Sequence, residues 1–226
     1  MEALVTPHRL IVYLDIKSPY AFLAKDPAYQ LEEEFNIEID WRPLTLDIPS
    51  YLGSAKTNTR GEVVESKRSP QQWLAVRYAY MDAKRYARLN NIILYGTQKI
   101  WDSSFAGIAM LWAKQHGRKE LRSYLDIVYE RFWRRDLDIE NSEVMVSALL
   151  DAGVNTDGFV DYLYGQGRLI HDELQGKLHP AGIFGVPTFV IDDEIYFGRE
   201  HLPSIRWHLS GCKGRAPDVA YQHFGD

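Results

Sequence analysis

The chain has one cysteine in 226 residues, Cys212. That count excludes both an intrachain disulfide and a Cys-x-x-Cys redox centre. No apolar stretch approaches the roughly 20 residues that a membrane-spanning helix needs. The N-terminus, Met-Glu-Ala-Leu-Val-Thr-Pro-His-Arg, lacks a charged region followed by a long apolar run. A secretory signal is therefore not expected, and the chain reads as cytoplasmic. Positive charge is also scarce: 26 Lys and Arg against 31 Asp and Glu leave a net charge of -5. That balance argues against a nucleic-acid or membrane-surface partner, which would want a basic face. The seven histidines have no metal-ligand spacing, and His171-Asp172-Glu173 reads as a solvated helix face.

With 46% hydrophobic and 25% charged residues, the chain has globular composition and length enough for a real core. Leu10 to Asp15 is a continuous apolar run, as in a strand covered on both faces. Ser18-Pro19 is a helix start, a capping hydroxyl followed by proline at the first helical position. The helix carries Tyr20, Phe22, Leu23, Tyr29, Leu31 and Phe35, with a kink expected at Pro27 and a close at Asn36. Residues 37–43 alternate apolar and polar and predict a second strand. Together these make a β-α-β unit with parallel strands. Residues 44–70, with Pro49, Gly53, Gly61 and Pro70, predict a long loop with one short helix.

From Ser69-Pro70 the period is helical for roughly 100 residues. Trp73, Val76 and Tyr80 share one face, and Tyr78, Met81 and Arg85 its neighbour. A helix capped at Asp102-Ser103 ends at Gly117, and Leu121, Leu125, Val128 and Phe132 form the next stripe. Asn141-Ser142 opens a short helix closed by Gly153. Thr156-Asp157 starts another, broken at Gly165-Gln-Gly167 and ending near Leu174. Asp82 and Arg85 read as an ordinary surface pair, Tyr78 and Trp73 as core or pocket wall, and Cys212 as incidental.

The last organised stretch runs from Gly182 to Gly198. Thr188 to Ile191 is β-branched and aromatic, Asp192-Asp193 breaks it and Glu194 to Phe197 resumes it, which predicts a hairpin. Pro187 cannot donate to a ladder and belongs at the strand's first residue; Val186-Pro187 is a candidate cis peptide. A helix over 200–209 and an irregular tail over 211–226 follow. Gly-Val-Pro-Thr-Phe before a hairpin resembles the cis-proline loop of thioredoxin-fold proteins; the competing reading is an edge hairpin with a trans proline. In a thioredoxin fold the redox cysteines open the first helix, and here that opening reads Ser18-Pro19-Tyr20-Ala21. Without sulfur there is no dithiol exchange. Ser18 then has two readings. It is only an N-cap, or it also donates to a ligand thiolate favoured by the helix N-terminus.

The chain resembles the 2-hydroxychromene-2-carboxylate isomerase family, related to kappa-class glutathione transferases and DsbA-like oxidases. The resemblance rests on Asp15-Ile-Lys-Ser-Pro-Tyr20, Trp41-Arg-Pro43, Tyr78 with Asp82, Arg85 and Ala87, Phe132-Trp133 with Asp138-Ile139, and Gly182 to Val190 with Tyr196-Phe-Gly198. It implies an α/β thioredoxin fold (β-α-β, then β-hairpin and helix) over 1–50 and 180–226, with an all-helical insertion domain over 51–179. It further implies a homodimer, glutathione as cofactor, and a small aromatic carboxylate or other electrophile as substrate. By the same resemblance Ser18 is the catalytic residue meeting the glutathione sulfur. Val186, before Pro187, pairs its backbone with the glutathione peptide, and Asn58 matches a loop asparagine near the ligand. Arg199, Glu200 and His201 stand where the family has Ser-Asp-Arg or Gln-Asp-Arg to hold the γ-glutamyl end. A family lysine falls on Ala75, with Arg77 as its substitute. Tyr20, Arg77, Tyr78 and Arg85 are the expected substrate contacts. The resemblance implies a glutathione-dependent cis-trans isomerase acting by reversible thiolate addition. The alternatives are a kappa-like transferase or peroxidase, and a non-catalytic DsbA-like binding protein.

Overall fold

The computed structural model describes residues 2–218. In chain order, β1 (Leu10–Leu14), α1 (Pro19–Glu34) and β2 (Ile39–Pro43) are followed by α2 (Ile48–Leu52), β3 (Ala55–Thr57) and β4 (Val63–Ser66). The helices α3 (Pro70–Leu89), α4 (Ser104–His116), α5 (Arg118–Arg134), α6 (Ser142–Asp151), α7 (Phe159–Tyr164) and α8 (Gln166–Leu178) come next. The chain then returns as β5 (Thr188–Ile191) and β6 (Glu194–Phe197), a 3-10 turn at Arg199–His201, and α9 (Leu202–Leu209). The main sheet has the order β2-β1-β5-β6, with β1 parallel to β2 and antiparallel to β5. This is the DsbA-like thioredoxin arrangement, a mixed sheet with many helices. No helix among the described residues is long and apolar enough to cross a membrane.

Local chemistry accounts for most element ends. Ser69 and Gln72 form a capping box at the start of α3. Asn36, at φ 48°, closes α1 while the Ile37 N–H reaches the Glu32 carbonyl at 3.1 Å. The helix runs on through Pro27. At α4 the cap is the Asp102 carboxylate, which accepts from the Ser104 N–H at 2.8 Å, while Ser103 makes no capping bond. Asp192, at φ 51°, opens the tight turn between β5 and β6.

Four readings are corrected. The stretch 44–70 holds a second, two-stranded sheet, β3 with β4, as well as the short helix; strands of three and four residues are too short to leave a period. The helix expected from Thr156-Asp157 begins at Phe159, after Gly158. The helix over 200–209 is split into the 3-10 turn and α9. His171 is no solvated residue: it is 2% exposed, with Nδ1 2.8 Å from Asp172 and Nε2 3.0 Å from the Thr45 hydroxyl. Burial pushes its pKa down against the pull of Asp172. Of the expected tail, residues 211–218 are turns and irregular backbone, and 219–226 lie outside the described residues.

One apolar core joins the sheet to the helices that interrupt it, running from Tyr13, Trp41 and Phe189 to Tyr124, Trp133 and Phe159. The alternation in β2 does not mark a wet face, because Asp40 and Arg42 are both buried. The Arg42 guanidinium donates to Asp40 (3.0 and 2.5 Å), to the Tyr13 hydroxyl (3.2 Å) and to the Ala3 and Val5 carbonyls (3.2 and 2.6 Å). Lys114 of α4 pairs with the other oxygen of Asp40. A buried ion pair is tolerable only when its remaining donors and acceptors are met, as they are here. Burial alone would raise the Asp40 pKa; Arg42 and Lys114 outweigh it and hold the carboxyl at about 2. The native state therefore prefers the ionised carboxylate, with that stability complete above the unfolded pKa near 4 and lost as the pH falls towards 2. Denaturant titrations from pH 7 to 2 are expected to show Asp40→Asn less stable at neutral pH. They are also expected to show it missing on the order of 2 kcal/mol of the wild-type acid dependence.

Candidate functional site

The end of β1 leads into α1 through a turn fixed from several sides. The Ser18 N–H reaches the Asp15 carbonyl at 3.0 Å, and the Asp15 carboxylate accepts from the Lys17 and Leu46 N–H groups at 3.1 and 2.7 Å. From α5, the Tyr129 hydroxyl donates to the Asp15 carbonyl and the Trp133 indole to the Ile16 carbonyl, both at 3.1 Å. These residues are four apart and lie on one helix face, so α5 clamps the turn as a unit. Asp15 is fully buried, and its pKa is raised by burial against the opposing pull of Lys17. Lys17 sits 3.7 Å from Asp15 and donates to the Trp101 carbonyl at 3.1 Å.

Ser18 follows as the N-cap. Its oxygen accepts from the Ala21 N–H at 3.2 Å, and its hydroxyl points at the Val186 carbonyl from a long 3.5 Å. The capping role and the facing role therefore coexist in one side chain. Opposite, the Val186–Pro187 peptide is cis. The Gly198 N–H bonds the Pro187 carbonyl at 2.9 Å, and the Thr188 hydroxyl bonds the Gly185 carbonyl at 2.7 Å. The Val186 N–H has no hydrogen bond among the described residues.

Between these walls lies a cleft of about 820 Å³. Its apolar lining comes from Leu44, Leu46, Ile48 and Tyr51 of the β2–α2 stretch, Val76 and Tyr80 of α3, and Trp101, Phe184 and Phe197. The long segment read as a loop thus supplies a wall. Lys17, Arg68 and Lys99 also line the cleft, against Asp47 as its carboxylate.

Of the residues singled out in the sequence, Ser18, Tyr20 and Val186 line this cleft. The Tyr20 hydroxyl donates to Asp82 at 3.0 Å, and burial together with that carboxylate raises its pKa. Asp82 is accordingly more than half of a surface pair: it also accepts from Arg85 at 2.8 Å and ties α3 to α1. Asn58, Arg77, Tyr78, Arg85, Arg199, Glu200 and His201 are not brought to the cleft. Asn58 is spent on its own turn, bonding Glu62 and the Arg60 N–H. Arg77 lies over the Trp73 ring at 5.9 Å, Tyr78 is 60% exposed, and Arg85 is exposed beside Asp82. The Arg199 guanidinium covers the Tyr86 ring at 3.5 Å and His201 packs on Tyr196. Glu200 lines a separate shallow pocket with His201, Ser204 and Arg215. Sequence reading missed Lys17, which stands beside Ser18 in plain view, and Arg68, for which no periodicity or motif offered a signal.

Gly185 keeps the Val186 wall close to the hairpin: a Cβ there would fall 2.5 Å from the Phe197 ring. Gly185→Ala is expected to lose roughly 1–3 kcal/mol in chemical denaturation by overpacking. Adding Phe197→Ala, which removes the ring, is expected to recover part of that loss.

A family model described as DSBA-like thioredoxin domain matches residues 9–210. A 2-hydroxychromene-2-carboxylate isomerase from Sphingobium xenophagum is 24% identical over 204 residues, covering 87% of this chain and 95% of that protein. Among solved structures, a 2-hydroxychromene-2-carboxylate isomerase superposes with a TM-score of 0.67 at 18% identity, over 90% of this chain and 95% of the other. The cytosolic disulfide reductase DsbM from Pseudomonas aeruginosa, solved with GSH, gives a TM-score of 0.57 at 13% identity, over 90% and 98% of the two chains.

Proposed function

The chain belongs to the DSBA-like thioredoxin-domain family, and from that premise we propose that it is a glutathione-dependent isomerase of an aromatic-degradation intermediate such as 2-hydroxychromene-2-carboxylate. The observation that carries this reading is Ser18 facing the Val186 backbone across the cleft in a chain whose one thiol, exposed Cys212, lies beyond α9. The protein offers no sulfur at its own redox position, so a thiol there has to arrive with a ligand. Isomerase relatives aligned over most of their length support the reaction type.

The residues present fit a thiol-bearing peptide. Among the described residues the Val186 N–H has no partner and its carbonyl receives only the long Ser18 bond, so a short peptide can add there as a strand adds to an edge. The start of α1 contributes the Tyr20 N–H, which has no hydrogen-bond partner among the described residues, and a partial positive charge that favours a thiolate. When bound, glutathione supplies a nucleophile that adds reversibly to a conjugated carbon, turning a double bond into a single bond about which the substrate rotates. Ser18 turns its hydroxyl from the Val186 carbonyl to the sulfur and keeps its N-cap bond to Ala21. The apolar walls exclude water, which strengthens each of these polar contacts. A cytoplasmic setting, where thiols stay reduced, accords with this chemistry. A homodimer is part of the proposal, supported by the exposed Leu74, Tyr78 and Met81 on α3.

A second reading has its own observation. Arg199, Glu200 and His201, expected at the γ-glutamyl end, lie outside the cleft lining, which favours a non-catalytic binding module or a thiol ligand without that group. Calorimetric titration separates the two: the isomerase reading expects glutathione to bind at millimolar concentration or below, and no heat at that level overturns it. Ser18→Ala is expected to lower turnover of the chromene carboxylate roughly 100-fold, as loss of one anion-stabilising donor does. The same change is expected to lower stability by only about 1 kcal/mol through the lost cap.

A further inference from the structure

Three cations line the cleft, and two of them are spoken for. Lys17 lies 3.7 Å from Asp15, and Lys99 pairs with Glu140 while lying over the Trp101 ring. Arg68 differs. It forms no ion pair among the described residues, and its Nε is buried with no hydrogen-bond partner. Burial lowers its pKa, with no carboxylate to restore it. Leaving a guanidinium nitrogen desolvated and unmet is unfavourable, and a native structure tolerates such a group where something else completes it.

The side chain is also held in place. Its guanidinium lies 4.9 Å over the Trp73 ring, and the Trp73 indole is tied to the Ser66 hydroxyl at 3.1 Å. Beneath the stem, Gly53 at φ 62° leaves room: a Cβ there would stand 3.1 Å from the Arg68 Cγ and 2.8 Å from the Lys67 carbonyl. A guanidinium fixed in one plane loses little freedom on binding a carboxylate bidentately. It opens onto a cleft whose remaining lining is mainly aliphatic and aromatic.

We infer that Arg68 is the anion anchor of the cleft, taking the carboxylate of a planar, otherwise apolar ligand. The assignment rests on the cleft being the substrate site proposed above, and it replaces Arg77 and Arg85, which stand outside that cleft, as the cation that meets the substrate. Asp47, the one carboxylate in the lining, forms no ion pair with Arg68 and leaves the anchor open. Glutathione carries carboxylates of its own, so the test must tell the two sources apart.

Cinnamate and the isosteric neutral cinnamamide are the probes, titrated separately and without glutathione into the full chain; glutathione is titrated on its own. The wild type is expected to bind cinnamate at least tenfold more tightly than cinnamamide. Arg68→Met is expected to remove that preference while leaving the affinities for cinnamamide and glutathione within about twofold, and Arg68→Lys to keep part of it, as a point charge without the fork. Thermal unfolding of both variants checks that the fold survives, and if Arg68→Met does not fold, Arg68→Lys against wild type carries the comparison. Equal binding of acid and amide by the wild type overturns the assignment. A preference that survives Arg68→Met does so as well. A loss confined to glutathione also overturns it, because the anchored carboxylate would then be the cofactor's. If glutathione fails to bind the wild type while the cinnamate preference holds and falls with Arg68, the anchor stands and the isomerase reading falls.

Discussion

Everything at the cleft depends on the antiparallel pairing of β1 with β5. The register sets Tyr13 opposite Thr188, and continuing each strand by a few residues brings Ser18 to the Val186 carbonyl, 168 residues away in the chain. A contact at that separation carries a loop-closure cost that only a cooperative ladder offsets. Strand β1 is flanked on both sides and buried along its length, which is why its ladder is complete. The helices between β2 and β5 do more than fill the interval. Tyr129 and Trp133 of α5 hold the carbonyls of the turn that presents Ser18, so the interrupting block helps to aim the residue that the sheet brings into place.

Charge is distributed with the same economy. The chain is acidic overall, yet three cations line the cleft against one carboxylate. Buried charge is otherwise neutralised, inside the cleft and out: Lys17 by Asp15, Arg42 by Asp40, and Glu32 of α1 by Arg122 at 2.6 Å. Low dielectric makes an unmatched charge expensive, and this pattern gives the exception at Arg68 its weight. Local positive potential in an apolar cleft also draws anions inward against the net charge of the chain.

The sequence by itself determined the elements whose chemistry is local. The Ser18-Pro19 start, the Ser69 capping box, the break at Gly165 and the two-residue turn at Asp192-Asp193 are written in adjacent residues, because capping and turn geometry need only neighbours. The absence of cysteine at positions 18 to 21 likewise removes dithiol exchange by the chain's own sulfur at the start of α1. Motif resemblance carried the thioredoxin-like order of strands and helices, for which local period alone was insufficient.

The tertiary structure decided what no local pattern encodes. Alternation over residues 37–43 gives the strand but not the burial of its polar side chains: Arg42 and Asp40 are enclosed by the Ala3 and Val5 carbonyls, Tyr13 and Lys114 of α4. His171 sits among polar residues in sequence and is buried in space against Thr45. Arg77, Tyr78 and Arg85 share a helix with Val76 and Tyr80, yet a rotation of 100° per residue turns the first three away from the cleft and the last two into it. Arg68 precedes that helix in a stretch without period, and its role depends on a tryptophan, a glycine and a cleft wall assembled from distant parts of the chain. Helix and turn signals are short-range interactions and survive in sequence; the sign and occupancy of a cleft are sums over distant groups, and only folding performs them.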